Sequence, residues 1–157
     1  MADVDITEEA DEPTEVNNLG SVRAWLRTCP AVTAATPFGA DFLGDDPDKF
    51  ALCSIPTNVR TRENILGQTV KMPLQEQAFA IDYRAAYGEE YTQNLDTLAL
   101  LQQIHDWIME QNNAQSFPAW HGGTIKSITP TMTPALMDYR SASARYRVQI
   151  KVIYTIN

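Results

Sequence analysis

Hydrophobic and polar positions alternate with a period of two in the segment 74–86. One side of this segment carries the apolar residues Phe79, Ile81, Tyr83 and Ala85. The other side carries Asp82 and Arg84. A period of two is typical of a strand that rests with one side on a core. We therefore predict a half-buried strand here, followed by a turn at Tyr87 and Gly88.

The segment 143–156 has the most regular alternation in the chain. Its apolar side carries Tyr146, Val148, Ile150, Val152, Tyr154 and Ile156. Its polar side carries Arg145, Arg147, Gln149 and Lys151. This pattern again predicts a strand with one buried side. Residues 123–132 give a weaker strand prediction, because Ile125 and Ile128 do not keep strict alternation.

A helical spacing of three and four replaces this alternation in residues 91–111. The apolar stripe consists of Leu95, Leu98, Leu101, Ile104 and Ile108, widened by Leu100 and Trp107. Burying such a stripe gains about 1.5–3 kcal/mol per large side chain, so the helix is expected to dock on the sheet. A shorter helix is predicted over residues 18–28, and Pro30 prevents its continuation.

The remaining segments are less regular. Residues 30–48 are predicted to be mainly loop, and Phe50, Leu52 and Ile55 indicate a short strand that Pro56 ends. The polar stretch 57–73 is basic and admits two interpretations. One is a long functional or interfacial loop, and the other is an extended hairpin arm.

The elements follow in the order helix, strand, strand, helix, strand, strand. Consecutive strands joined by short turns pair antiparallel, and helices then gather on one face of the sheet. We therefore predict the α+β class, as a single-domain sandwich with a mainly antiparallel sheet and helices packed on one face. The 157 residues suit one such domain.

The net charge of −8 is unevenly distributed. The first 16 residues contain seven acids and no base, and without them 13 acids remain against 12 bases. Such acidic blocks are typically solvated. We predict an acidic flexible arm over residues 1–16 and a single α+β domain over residues 17–157. An alternative is that the arm becomes ordered on a neighbouring subunit.

Residues that could carry catalysis or bind a metal are scarce. Cys29 and Cys53 lie outside any CxxC motif and are interpreted as small buried residues in a protein made in a reducing cytoplasm. His105 and His121 have no metal-ligand spacing. The acids Asp41, Asp45, Asp46 and Asp48 lack the pattern of an EF-hand loop. We expect no enzyme, no cofactor, no secretory signal and no membrane span.

A basic stripe is the strongest charged feature of the predicted domain. It consists of Arg140, Arg145, Arg147 and Lys151, and no acid lies among residues 139–157. Nucleic-acid binding is one interpretation. A solvated face, or a face that meets an acidic neighbour, is the other. Tyr146 and Tyr154 point away from the basic side, which weakens the nucleic-acid interpretation.

The segment 79–118 resembles the tail terminator family, the minor tail or minor capsid proteins of phages and prophages of Gram-positive bacteria. The matching residues are Phe79, Arg84, Tyr87, Gly88, Gln93, Asn94, Leu95, Trp107, Glu110, Gln111, Asn112, Phe117 and Pro118. DFLG at residues 41–44, Pro56 with Thr57, and Arg145 with Tyr146 fit as well. The resemblance covers residues 19–157, is poor over 57–75, and leaves the acidic arm unmatched.

The resemblance implies a structural virion protein that caps the head-proximal end of the tail tube as a homohexameric ring. Its partners would be other copies of itself, the major tail tube protein and the neck or head-completion proteins. It would be assembled in the host bacterial cytoplasm and reside in the virion. Another neck or tail-completion component is the nearest alternative, and a small nucleic-acid-binding module is a more distant one.

Five cations are the candidate residues of the subunit or tube interface: Arg60, Arg62, Arg145, Arg147 and Lys151. DNA passes through such a ring, and a strongly basic lumen would retain it. We therefore expect DNA to pass without specific binding. We also expect acids of a neighbouring subunit or of the tube to engage Arg145, Arg147 and Lys151, with the acidic arm as one possible source.

Overall fold

A computed structural model describes residues 18–32, 37–41, 43–44, 46–140 and 142–157. The helices of this part are α1 (Asn18–Leu26) and α2 (Tyr91–Asn113). Its strands are β1 (Phe38–Ala40), β2 (Lys49–Ile55), β3 (Thr61–Glu63), β4 (Thr69–Lys71), β5 (Leu74–Ala86), β6 (Gly123–Pro130), β7 (Ala135–Tyr139) and β8 (Ser143–Ile156). The predicted acidic arm, residues 1–16, lies outside the described residues.

The main sheet has the strand order β1-β2-β5-β8-β6, and β7 pairs with β8 as well. β5 pairs antiparallel with β8 along its whole length, from Leu74 opposite Thr155 to Ala86 opposite Ser143. On the other edge of β8, β6 pairs with its carboxyl-terminal half and β7 with its amino-terminal half. β3 and β4 form a separate two-stranded sheet. The long β5–β8 pair is thus the framework of the molecule.

The core lies between one face of this sheet and the two helices. Alternate residues of the central strands face it, such as Phe79 and Ile81 on β5 and Val148 and Ile150 on β8. From α2, the side chains of Leu101, Ile104 and Ile108 are fully buried in the same cluster. From α1, Val22, Trp25 and Leu26 join them. This arrangement confirms the predicted α+β fold with helices on one face of the sheet.

The strands with regular alternation were predicted well. β8 has the predicted bounds, and its apolar side from Tyr146 to Val152 is buried. The irregular spacing of Ile125 and Ile128 has a physical reason, because the pairing register of β6 with β8 shifts between Ile125 and Ser127. This bulge brings both isoleucines to the core side, where they are 7% and 0% exposed.

Several details of the sequence prediction are wrong. The loop-rich region contains β1, which pairs in parallel with β2 through Phe38 opposite Phe50. The chain returns between them through Asp41 and Asp48, whose φ angles are 54° and 62°. Aspartate tolerates this left-handed conformation better than most residues. β7 was also not predicted, and Leu95 is 57% exposed instead of buried in the helical stripe.

The two glycines at the start of β6 are required by the backbone. Gly122 has a φ of +83°. A Cβ atom on Gly123 would lie 2.3 Å from the carbonyl oxygen of Thr155 on the paired strand. The first glycine therefore turns the chain, and the second allows β6 to approach β8.

None of the described helices is long and apolar enough to cross a membrane.

Candidate assembly interface

Three of the five candidate interface cations lie on the face of the sheet that carries no described helix. Arg145, Arg147 and Lys151 alternate on β8 with the core residues. We call this surface the helix-free face. The residues directly opposite them on β5 are Arg84, Asp82 and Ala78, respectively. The register of two strands far apart in sequence therefore places an acid opposite Arg147 and another arginine opposite Arg145.

Asp82 is the centre of an ionic cluster on this face. Asp82 is buried, with only 3% of its surface exposed. Nε and Nη2 of Arg147 donate to its two carboxylate oxygens at 2.7 and 3.1 Å. Nη1 of Arg145 donates to Oδ2 at 3.3 Å. A buried carboxylate is stable only when such charged donors compensate for its lost hydration.

Asp138 on β7 completes the cluster at the edge of the sheet. Arg145 donates to Asp138 Oδ2 through Nε at 3.0 Å and through Nη2 at 2.8 Å. The same carboxylate lies 3.9 Å from Nη1 of Arg84. It therefore stands between two arginines that face each other across the strands and reduces their repulsion.

The pKa values follow from these contacts. Hydrogen bonds to Asp138 and Asp82 raise the pKa values of Arg145 and Arg147. The hydrogen bond from Arg145 lowers the pKa of Asp138. Burial, together with the neighbouring charge of Asp82, raises the pKa of Cys53 to about 11. Arg145, Arg147 and Asp138 are therefore charged at neutral pH, while the Cys53 thiol stays protonated.

The described partners of Arg145 and Arg147 are acids of their own chain. This differs from the expectation that acids of a neighbouring subunit or of the tube engage them. Alternation placed Asp82 and Arg147 on the polar sides of their strands, but only the register of β5 with β8 brings them together. Lys151 differs from the arginines, since it has no carboxylate partner among the described residues. The role of all three in a subunit contact stays a prediction.

Small residues complete the helix-free face. Ala51, Ala78 and Ala80 belong to it and are 0%, 6% and 0% exposed. Residues with longer side chains lie opposite them on the paired strands, such as Gln149 opposite Ala80. These small residues are therefore buried on a face that carries no described helix.

Arg60 and Arg62 lie in the segment 57–73, which we call the arm. The interpretation of this segment as a hairpin is confirmed, since β3 and β4 pair antiparallel with Arg62 opposite Val70. The Gln75 side chain fixes the base of the arm. It accepts a hydrogen bond from Arg60 N at 3.0 Å and donates to the carbonyl oxygens of Arg60 and Met72 at 2.7 and 2.8 Å.

Further contacts hold the arm against the ends of the central strands. Arg60 forms an ion pair of 3.0 Å with Glu76 on β5. The Thr57 hydroxyl donates to the carbonyl oxygen of Glu76 at 3.3 Å. Ile156 N on β8 donates to the carbonyl oxygen of Pro73 at 3.0 Å. The arm is thus an ordered hairpin whose orientation relative to the sheet is fixed by these contacts.

The tip of the arm is ordered by one asparagine. Asn64 Oδ1 accepts hydrogen bonds from the backbone amides of Leu66 and Gln68 at 2.9 and 3.0 Å. Gly67 makes the turn with a φ of +78°. The side chains that this turn presents are Ile65 and Leu66, which are 103% and 77% exposed.

The other candidate residues have structural surroundings. His105 contacts Asp106 and Gln102 on the surface of α2. Asp41 accepts a hydrogen bond from Ser54 N, and Asp48 accepts one from the Tyr83 hydroxyl. Asp45 lies outside the described residues. Within the described ranges, no three metal-ligating side chains come together. Neither cysteine is in a disulfide, and Cys29 is buried while Cys53 is half-buried.

Three of the residues that carry the family resemblance join α2 to other parts of the fold. Asn94 Nδ2 donates to the carbonyl oxygen of Gly88 at 2.9 Å. Asn112 Oδ1 accepts a hydrogen bond from Ile128 N at 3.0 Å. Trp107 packs against Trp25 of α1 with a ring-centroid distance of 4.9 Å. These residues therefore specify packing rather than a reactive site.

No protein-family model matches the chain, and no curated protein sequence matches it significantly. What the chain does must therefore be inferred from its own surfaces.

Proposed function

We propose that this chain is a structural virion protein, a tail terminator that caps the head-proximal end of a phage tail tube as a homohexameric ring. It would then present a docking surface for neck or head-completion proteins. The observation that carries this proposal is the presence, in one molecule, of an ion-paired helix-free face and a preformed, exposed arm. A protein that works by assembly needs such surfaces and needs no reactive centre.

The ionic cluster favours assembly over nucleic-acid binding. Phosphate binding requires cations that can exchange counterions for DNA. Arg145 and Arg147 are instead hydrogen-bonded to Asp82 and Asp138, which leaves Lys151 as the only cation of these three without a described acidic partner. A DNA-facing surface of this kind would let the duplex pass without holding it.

The resemblance adds to this support. Its residues lie on β5, on the turn after it, on α2 and at the connection to β6, so they form one continuous part of the fold. The contacts of Asn94 and Asn112 give a physical reason for their presence in that part. The same set is compatible with another neck or tail-completion component, which is the nearest alternative.

Disruption of the gene in the phage or prophage that carries it tests the proposal. We expect particles with tails of uncontrolled length that fail to join capsids, and we expect complementation to restore both properties. Tails of normal length joined to capsids would overturn it. A tail-tube gene immediately downstream of the coding sequence is the expected genomic context. Salt-sensitive DNA binding by a monomer would instead favour the nucleic-acid-binding module.

A further inference from the structure

The arm exposes apolar surface that has no use within its own chain. Ile65 and Leu66 are held at its tip by the hydrogen bonds of Asn64, and both are almost entirely exposed. Val59 along the arm is 59% exposed as well. An ordered hairpin loses conformational entropy when it forms, and exposed apolar side chains return none of that cost. Exposed apolar side chains on an ordered tip are typical of a contact in which they become buried in a partner.

The charge of the arm indicates the kind of surface that would receive it. The arm contains Arg60, Arg62, Lys71 and one acid, Glu63. Arg60 is paired with Glu76. Arg62 and Lys71 have no carboxylate partner among the described residues, so the arm presents two cations, Arg62 nearer the tip and Lys71 at the base, on opposite faces of the hairpin. A complementary site is therefore acidic at its rim and apolar within.

The described part of the chain contains a cleft with these properties. It has a volume of about 600 Å³ and lies between β5, α2 and the start of β2. Its apolar wall includes Ala85, Ala86 and Leu100. Its acids are Asp48, Glu90 and Asp96, and no lysine or arginine lines it. An engineered apolar cavity of roughly 150 Å³ already accepts a benzene molecule, so the cleft has room for two aliphatic side chains.

The arm and the cleft lie at opposite ends of the molecule. The arm enters β5 at Leu74, whereas the cleft is lined by Tyr83, Ala85 and Ala86 at the other end of that strand. At about 3.3 Å per residue, Leu74 lies roughly 30–40 Å from the cleft residues Tyr83 to Ala86. An arm therefore cannot fill the cleft of its own chain. Two different patches at opposite ends generate a head-to-tail contact, which closes into a ring when the rotation per subunit allows it.

We infer that the arm of each copy inserts Ile65 and Leu66 into the acidic cleft of the next copy, with Arg62 and Lys71 facing Glu90 and Asp96. This contact deepens the proposed ring assembly and rests on it for ring closure. A single arm buries less surface than the roughly 1,200–2,000 Å² of a standard interface, so each contact is weak. Ring closure strengthens it, because the last contact is intramolecular.

Complementary variants test the direction of the contact. The arm variant carries Ile65→Asp and Leu66→Asp, and the cleft variant carries Glu90→Lys and Asp96→Lys. Each alone retains one functional patch, so we expect each to be monomeric by sedimentation velocity while the wild-type chain self-associates. Because a single contact without ring closure joins the two chains, an equimolar mixture at the highest soluble concentration should form a 1:1 dimer and nothing larger. Mixtures that stay monomeric, or wild-type chain that stays monomeric at the highest soluble concentration, would overturn the inference.

Charge exchange tests the chemistry of the contact with matched controls. We expect Arg62→Glu with Lys71→Glu to weaken self-association tenfold or more, and Glu90→Lys with Asp96→Lys to do the same. Combining all four substitutions should recover most of the loss. The controls are Lys126→Glu and Met109→Asp, two exposed positions outside the arm and the cleft, which should leave association unchanged. Absence of recovery in the combined variant would contradict the pairing.

Disulfide trapping locates the contact without relying on affinity. A chain with Leu66→Cys and Gln93→Cys should form a head-to-tail ladder on mild oxidation, since bridged Cα atoms must approach within about 7 Å. A chain with Leu66→Cys and Lys126→Cys is the control, and an equal ladder from it would contradict the contact. These outcomes are separate from the proposed virion role. If the arm variants still self-associate, only the inferred contact is contradicted. If tails are normal after gene disruption, only the proposed virion role is contradicted.

Discussion

The two faces of the β5–β8 pair bury their side chains in different ways, although alternate residues of the same strands build both. On the core side, Phe79 lies opposite Ile150 and Ile81 opposite Val148, under the two helices. On the helix-free side, the buried residue at the centre is Asp82, which is 3% exposed. One face is closed by apolar packing against another layer, and the other is closed by ion pairs within the sheet.

This difference between apolar and ionic burial explains how one face of a sheet can stay available for a partner. An apolar face without a cover would be an aggregation hazard. An ion-paired face is stable in water, and its arginines reach across the strands to Asp82 and Asp138. The molecule can therefore present this face to a partner without a protective layer.

The largest effect should come from the core face, at Phe79. This side chain is fully buried and packs edge-on against the Trp120 ring, with 6.4 Å between the two ring centroids. We expect Phe79→Ala to lower the free energy of unfolding by about 3–5 kcal/mol, because it leaves a cavity between sheet and helices. Urea denaturation at fixed protein concentration measures the change. Val59→Ala, at a 59% exposed position, is the control and should cost little.

The second-largest loss of stability should come from the helix-free face, at Asp82. Asp82→Asn keeps the shape but leaves two arginine side chains that are only 26% and 21% exposed without their buried counter-charge. Breaking a buried pair costs about 3–5 kcal/mol, and partial exposure reduces this to about 2–3 kcal/mol. Urea denaturation again measures the loss. Adding Arg147→Met should recover part of it, and a single variant as stable as wild type would contradict the ionic closure.

Much of the fold was predictable because alternation is a local property. The 14 residues of β8 alternate without exception from Arg145 to Val152, so both its bounds and its buried side followed from the sequence. β7 could not be predicted in the same way, since its sequence ALMDY does not alternate and only Ala135 in it is half-buried. β1 has only three residues, which is too short for any period.

The candidate site was predictable only in part, because partners depend on register. Arg145 and Arg147 stood out as a basic stripe, but Asp82 is 65 positions away from Arg147. Nothing local indicates which residue of β5 lies opposite. The acidic cleft was missed for the same reason, since Asp48 lies before β2 whereas Glu90 and Asp96 lie at the start of α2. The arm was recognised by its charge, while the anchoring role of Gln75 was not.

A smaller loss of stability should occur on the helix-free face at alkaline pH, through the thiol of Cys53. The folded chain raises the pKa of Cys53 from 9.0 to about 11, mainly by burial and also through Asp82. A raised pKa stabilises the fold below the unfolded value, and this contribution is lost as pH rises through the window from 9.0 to about 11. At about 1.4 kcal/mol per unit, and allowing for partial burial, wild type should lose about 1–2 kcal/mol more than Cys53→Ser. Parallel pH profiles of the two proteins would contradict this.

The smallest effect should come from Asp138, the exposed member of the ionic cluster. Its side chain is 52% exposed, so Asp138→Asn should cost less than about 1 kcal/mol despite two hydrogen bonds from Arg145. Because Arg145 lowers the pKa of Asp138 below 3.8, this contribution is present above that value and disappears as pH falls through the lowered pKa. Unfolding curves of wild type and variant should therefore converge in acid.

Salt separates Asp138 from Asp82 within the same cluster. At about 1 M ionic strength the Debye length is about 3 Å, so the exposed pair is screened while the buried pair is largely protected. The cost of Asp138→Asn should vanish in high salt, and that of Asp82→Asn should persist. A cost of Asp82→Asn that also vanishes would mean that water reaches the centre of the helix-free face. Its closure would then depend on packing of the small residues around Ala80 and not on the ion pairs.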